Sequence, residues 1–265
     1  MNVALVFSGL SGGVNSKNGN QPVPGKKCFD NINENLIQPS VVSGHKIDIF
    51  YHTWSSNDHD EINRLYNPVS YKVENQKKLA KNNFLEKVKQ ILLNFYLNRD
   101  EKFRKNNIYS KWYSFKESLT LLEKHKDSYD LIITLRFDMV FKKKIDINDF
   151  SINKINLGAW TALSENGKNI ILDEDISKYD ISSLNKIERG YPKENEGFHD
   201  FFIASNPTLL LNTFKGVYDD LGSLIIKSGL SNHNIILEVL KKHKLLNRIN
   251  YSLQYIYDYT LFRWL

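Results

Sequence analysis

Residues Tyr129 to Phe141 read YDLIITLRFDMVF, and this stretch decides the fold. It is rich in β-branched and aromatic residues and directly follows a helical pattern, so it predicts a strand running from Leu131 to Phe141. Side chains of a strand alternate, which puts Leu131, Ile133, Leu135 and Phe137 on one face and Thr134, Arg136 and Asp138 on the other. A parallel strand covered on both sides is apolar on both. This one turns polar only towards its C-terminal end, and open α/β sheets bind their ligands outside that end of the strands. Arg136 and Asp138 are therefore the first candidates for a site. The competing reading is structural: a salt bridge closing the sheet edge, or Asp138 capping the next element.

Outward from this strand the same alphabet recurs. Val3 to Phe7 is a continuous apolar run ended by Ser8, Gly9, Gly12 and Gly13, which reads as a buried strand entering a flexible loop that lasts to about Lys27. No basic segment precedes that run and no cleavage pattern follows it, so Met1 to Leu10 reads as a first strand rather than a secretory signal. A helix is expected from Phe29 to Gln38, stopped near Pro39. A second strand spans Ile47 to Trp54, followed by Ile62 to Tyr66 and a short extended piece at Val69 to Val73. Helical spacing covers Asn75 to Asn98 and Ser110 to Lys126, the latter with Trp112, Phe115, Leu119 and Leu122 on its apolar face. Further strands are expected at Ile155 to Ala162 and Phe201 to Ala204. Between them the polar segment Ser164 to Asp200 has the length of a functional lid or of a loop carrying short elements of its own, and is expected to be more mobile than the sheet. Pro207 to His243 reads as helical, and an aromatic tail runs from Tyr251 to Leu265. Strands that alternate with helices through the first 140 residues predict one α/β domain over residues 1–265, with a mostly parallel central sheet flanked by helices.

Composition excludes several classes. With 41% hydrophobic and 12% aromatic residues the 265-residue chain has material for a real core and is not a disordered segment. Cys28 is its only cysteine, which rules out an intrachain disulfide and points to a reducing, cytoplasmic setting. No apolar run reaches the ~18 residues of a spanning helix. A formal net charge of +6 suits phosphate-bearing ligands or an anionic membrane surface. Lys and Arg are nevertheless interspersed with Asp and Glu, apart from short runs such as Lys142–Lys144 and Lys241–Lys242, which argues against a nucleic-acid partner.

Other residues carry chemistry of their own. His52 and Trp54 close the second strand, where Trp54 can stack on a base or plug the core and His52 can line a site or bond to backbone. The loop Ser8 to Gly13 can bring backbone amides to a phosphate, although it fits neither a P-loop nor a dinucleotide fingerprint. Asp200, after His199, and Glu196 stand before an apolar strand. Either carboxylate can accept a proton from a hydroxyl nucleophile. Lys111 and Lys116 are basic candidates for phosphate.

The motifs LVFSG (Leu5 to Gly9), DIFYHTW (Asp48 to Trp54), YSKWYSFKES (Tyr109 to Ser118) and RFD (Arg136 to Asp138) occur in that order, followed by Asp200 leading into Phe201-Phe202-Ile203. In this order they resemble a group of bacterial and large-virus glycosyltransferase-like proteins, over roughly residues 2 to 206. The resemblance implies a single GT-A-like, Rossmann-like domain that moves a sugar from a nucleotide-sugar donor to a glycan acceptor, in surface polysaccharide assembly. It also implies a cytoplasmic enzyme, with peripheral association at the inner face of a membrane left open. Ser8, Gly9, His52, Trp54, Arg136 and Asp138 would bind the donor, and Asp200 or Glu196 would serve as catalytic base. In GT-A enzymes an Asp-x-Asp motif holds a divalent cation, Mn²⁺ or Mg²⁺, against the departing diphosphate. Here Arg136 stands in place of the first Asp, leaving Asp138 as the metal ligand, and a guanidinium can itself pair with phosphate. Two other functions compete. A sugar nucleotidyltransferase is kept open by Lys17, Lys26 and Lys27 beside the N-terminal loop, and a non-catalytic glycan- or membrane-surface-binding module by the Arg136 replacement.

Overall fold

Val3 to Phe7 is buried on both faces, as a central parallel strand requires. It belongs to strand β1 (Asn2–Leu10), which sits inside a seven-stranded sheet. The fold is that of a computed structural model, which describes residues 1–14, 22–54, 59–76, 79, 88, 91–92, 99–159, 162–163, 169–170, 198–255 and 258–262. The remaining strands of the sheet are β2 (Lys46–Trp54), β3 (Ser70–Glu74), β4 (Leu131–Arg136), β5 (Ile155–Ala159), β6 (Ile203–Ser205) and β7 (Ile249–Gln254). Their spatial order is β3-β2-β1-β4-β6-β5-β7. β1 pairs in parallel with β2 and with β4, β2 with β3, and β5 with β7. β6 is antiparallel to both of its neighbours, β4 and β5. The chain is thus α/β with a mostly parallel central sheet flanked by helices, as the alternation of patterns predicts.

The order carries a consequence for function. From β1 the chain builds outward to β2 and β3, then returns to the other side of β1 to lay down β4. The two halves of the sheet diverge at the β1/β4 boundary, the switch point where open α/β sheets leave a crevice at their C-terminal strand ends.

Strand alternation divides the core in two. Val3, Leu5, Phe7, Leu131, Ile133 and Leu135 face one layer, which contains α1 (Gly25–Ile32), a π-turn (Asn33–Ile37) and α3 (His59–Tyr66). Ala4, Val6, Phe50 and Ile132 face the other, built from α4 (Arg99–Glu123), α5 (Pro207–Phe214), α6 (Leu221–Ser228) and α7 (Asn232–Lys242). The short helix α2 (Gln38–Val42) follows the π-turn. Helix starts carry the expected chemistry: Asn206 accepts from Leu209 N–H ahead of Pro207, and Ser231 accepts from Asn234 N–H.

Several expectations are corrected. The first helical region does not stop at Pro39 but runs on to Val42. Proline lacks the N–H that would bond four residues back, at Asn35, and the Asn35 carbonyl instead accepts from Ile145 N–H at 2.8 Å. The strand expected to reach Phe141 ends at Arg136. After a turn, Met139–Phe141 joins a separate antiparallel ladder with Tyr259–Leu261, and the Asp138 carbonyl accepts from Phe262 N–H at 2.8 Å. The aromatic tail therefore supplies that ladder strand as well as part of β7. β5 is described as far as Ala159, residues 160–161 lie outside the described residues, and Ala162 pairs with Ile170 in a separate ladder. β6 runs from Ile203 to Ser205 rather than from Phe201. Helix α4 begins well before Ser110, at Arg99. The expected helix at Asn75–Asn98 and the polar segment Ser164–Asp200 lie largely outside the described residues. Among the described residues no helix is long and apolar enough to cross a membrane.

Candidate functional site

Register brings the candidates of three strands together. Ser8 pairs with His52 on one side and with Arg136 on the other. Alternation puts this row on the face that carries Ala4, Val6, Phe50 and Ile132, the side covered by α4. Ser8, His52 and Arg136 thus form one line at the C-terminal ends of β1, β2 and β4, across the switch point.

Helix α4 ties the line together from below. Ser114 is fully buried, accepts the Gly9 backbone N–H at 2.8 Å and lies 2.8 Å from His52 Nδ1. Gly9 adopts φ +112, which only glycine holds without strain, and this turn aims its N–H at the helix. His52 Nε2 lies 3.0 Å from Glu74 Oε2, a carboxylate oxygen that also accepts from Tyr113 Oη at 2.8 Å. A carboxylate only accepts, so Nε2 carries the hydrogen and Nδ1 receives the Ser114 hydroxyl. Burial pushes the His52 pKa down, opposed by the Glu74 hydrogen bond and charge. Trp54 stacks on Tyr113 with centroids 5.6 Å apart and meets His52 edge-on. One strand step further, Thr53 Oγ1 accepts from Ser11 N–H at 3.1 Å and donates to Ser11 Oγ at 2.9 Å. The LVFSG, HTW and Tyr-Ser motifs are therefore bonded to one another.

Arg136 and Asp138 form a closed pair. Nε donates to Oδ1 and Nη2 to Oδ2, both at 2.7 Å, the side-on bidentate geometry. The guanidinium also lies over the Phe201 ring, 4.9 Å from its centroid. The Arg136 side chain keeps 26% of its surface exposed, against 9% for Asp138. Asp138 in turn raises the pKa of Cys28 beyond what burial alone does, to about 12. That thiol is buried and inert.

The segment around Asp200 makes a second cluster. Its carboxylate is ion-paired with Lys111 of α4, and Lys111 Nζ also donates to the Asp200 carbonyl at 3.0 Å. His233 Nδ1 bonds to the Phe198 carbonyl at 3.1 Å and stands 3.2 Å from Asp200 Oδ1. Beside them His199 is fully buried, 2.6 Å from Tyr259 Oη at its Nδ1. Burial raises the Tyr259 pKa far above the usual phenol range, so the phenol keeps its proton and donates it. Burial, then the neighbouring His233, Lys111 and Arg136, hold His199 well below the usual imidazole range. Burial and Lys111 push His233 down to about 4. Phe201 joins the two clusters: it packs against His199 at 4.2 Å and under Arg136.

Of the sequence candidates, Ser8, Gly9, His52, Trp54 and Arg136 lie on or beside the α4 face of the strand ends, and Asp200 is paired with Lys111 of α4. Asp138 instead follows the end of β4 and acts electrostatically on Cys28 and Tyr66 of the α1/α3 layer. Glu196 lies outside the described residues. His52 and Trp54 are held by side chains of α4 and β3 and are buried. Lys116 does not face this region but pairs with Asp219. Sequence reasoning passed over Ser114, Tyr113 and Glu74 as individual residues, and took Lys111 as a candidate for phosphate, whereas it pairs with Asp200. A divalent cation takes several oxygen ligands. Both oxygens of Asp138 accept from Arg136 and its side chain is nearly closed to solvent. A cation would compete with the guanidinium for one carboxylate, so Asp138 as placed is a poor fit to the role of metal ligand. No protein-family model and no curated protein matches the chain.

Proposed function

We propose that this chain is a glycosyltransferase that moves a sugar from a nucleotide-sugar donor to a glycan acceptor. One observation carries the reading: the registered row Ser8–His52–Arg136 at the C-terminal ends of three parallel strands, where the strand order reverses. A nucleotide diphosphate suits that place, because the Gly9 turn, the Ser8 hydroxyl and a partly exposed guanidinium gather there. The motif order LVFSG, DIFYHTW, YSKWYSFKES, RFD supports it independently, since the bonds among Gly9, His52, Ser114 and Glu74 give those motifs a shared physical reason.

In the transfer, the acceptor hydroxyl oxygen bonds to the anomeric carbon as the bond from that carbon to the diphosphate breaks. The hydroxyl proton goes to a base, and the electron pair leaves with the diphosphate. The acceptor side is assigned to the His199–Asp200 turn, next to Arg136 through Phe201, with Asp200 as the candidate base. A setting in surface polysaccharide assembly at the inner face of a membrane goes with this reading.

A second reading, a glycan-binding module without turnover, is favoured by one feature: Asp138 and Asp200 are both closed into ion pairs. Incubation with a panel of nucleotide-sugars separates the alternatives. Slow donor hydrolysis, accelerated by a glycan acceptor, is the expected result. Pyrophosphate release from a nucleoside triphosphate and a sugar phosphate identifies a nucleotidyltransferase instead. Glycan binding with no turnover of any donor leaves the binding module.

A further inference from the structure

An arginine held side-on by a carboxylate uses Nε and one hydrogen of Nη2, and keeps the other edge of its five-donor fork for a second acceptor. Arg136 is held in this way, with both contacts to Asp138 at 2.7 Å. The Arg136 Cζ also lies over the Phe201 ring, 4.9 Å from the centroid. Two contacts therefore restrain the fork before any ligand arrives. Exposure is unequal within the pair: the arginine side chain is 26% exposed and the aspartate 9%. The arginine is thus the more exposed member of the pair, and a cation reaching Asp138 would compete with two charge-assisted hydrogen bonds at a nearly closed carboxylate.

We infer that the donor diphosphate is bound by the outer edge of Arg136 without a metal ion at Asp138, and that Asp138 is a positioning residue for that arginine. The inference rests on the glycosyltransferase reading and replaces the cation expected there by a side chain of the chain itself. A guanidinium offers a diphosphate what a hard cation offers, positive charge at its oxygens, and adds a fixed bidentate geometry. Asp138 contributes no contact to the ligand. Its work is to spend the inner edge of the fork so that the outer edge points in one direction.

The test is calorimetric titration of inorganic pyrophosphate, and separately of uridine diphosphate, into the full chain in EDTA and then in Mn²⁺. The expected result is binding in EDTA that Mn²⁺ leaves unchanged. Arg136→Gln should weaken it about 10- to 100-fold, the range for losing charge-assisted hydrogen bonds. Arg136→Lys, which keeps charge without the fork, should recover only part of that loss. Asp138→Asn should weaken binding in EDTA as well, although it removes a negative charge beside the ligand, and a purely electrostatic site would bind more tightly. Tighter anion binding by Asp138→Asn would overturn the positioning role. Binding that appears only with Mn²⁺ and vanishes in Asp138→Asn would overturn the inference and leave the glycosyltransferase reading intact. Arg136-dependent binding of pyrophosphate but not of uridine diphosphate, with no turnover of any nucleotide-sugar, would uphold the anion site and sink that reading. Should a variant fail to fold, the EDTA and Mn²⁺ comparison on the native chain still decides whether a metal is required.

Discussion

Ser114 is the residue on which the N-terminal half of the site converges, because one hydroxyl serves strands β1 and β2 at once. It receives the Gly9 N–H and donates to His52 Nδ1. Ser114→Ala would orphan a backbone donor and a ring nitrogen in a buried place. Unfolding by urea should reveal a loss of ~1–3 kcal/mol, the usual cost of leaving such groups unsatisfied. A midpoint equal to that of the native chain would show that water replaces the hydroxyl and that the motif bonding is incidental. Asp138→Asn should also lose stability, since breaking a largely buried pair leaves the other charge uncompensated. Here the sequence offered both readings, a donor-site carboxylate and an ion pair with Arg136, and the bidentate contacts show the ion pair. The inward roles of Ser114 and of Lys111, which pairs with Asp200, were not legible for a definite reason. The two residues lie one helical turn apart on α4, with buried Ser118 one further turn along. Reading a helix by its apolar residues overlooks polar side chains turned to the inside.

At the scale of elements, the half of the sheet that was hard to read depends on polar and glycine positions. Fully buried Asn156 of β5 donates to the Ala204 carbonyl of β6 at 3.0 Å and accepts from Asn250 of β7 at 2.8 Å. It also bonds to the Ser151 backbone in both directions. Asn156→Ala should therefore cost ~2–4 kcal/mol, several hydrogen bonds at about 1 kcal/mol each, and thermal melting would register it. A change within error would mean that β5, β6 and β7 are held by apolar packing alone. Gly158 has a different role: a Cβ there would lie 1.8 Å from Tyr259 Oη. Gly158→Ala must expel the Tyr259 ring, break its contact with His199, and destabilise by ~1–3 kcal/mol through overpacking. β1, β2 and β4 were readable because each is a long run of apolar residues flanked by turn signals. β6 is three residues long, and β7 lies in a tail whose aromatics announce burial without a period. The π-turn ahead of Pro39 was not legible either, since the Ile145 N–H that satisfies the Asn35 carbonyl beside it comes from more than a hundred residues away in the chain.

Across the whole molecule, burial has been applied to imidazoles in a way that makes stability depend on pH. His52, His199 and His233 all have depressed pKa values, in each case first because of desolvation. Lys111 adds to the depression at His199 and His233, Arg136 at His199, and Lys72 at His52, where Glu74 and Glu117 oppose it. In the unfolded chain the same rings titrate near 6.5. Between that value and the folded one, about 4 for His233, the unfolded state binds more protons than the folded state. Stability must then fall as pH falls through this window, and it levels off above about 6.5, where both states are neutral. Each ring that stays neutral in the folded protein contributes a slope approaching ~1.4 kcal/mol per pH unit. Urea midpoints measured from pH 7.5 down to 4.5 should accordingly drop, steepest below pH 6.5. His233→Gln should flatten part of the slope, because its contact with the Phe198 carbonyl can be kept by an amide while the titrating group is gone. A native chain equally stable at pH 7.5 and pH 5 would mean that these rings gain protons in place. The clusters around Lys111 and Glu74 would then be open to solvent, and the closed pairing on which the site rests would fail with them.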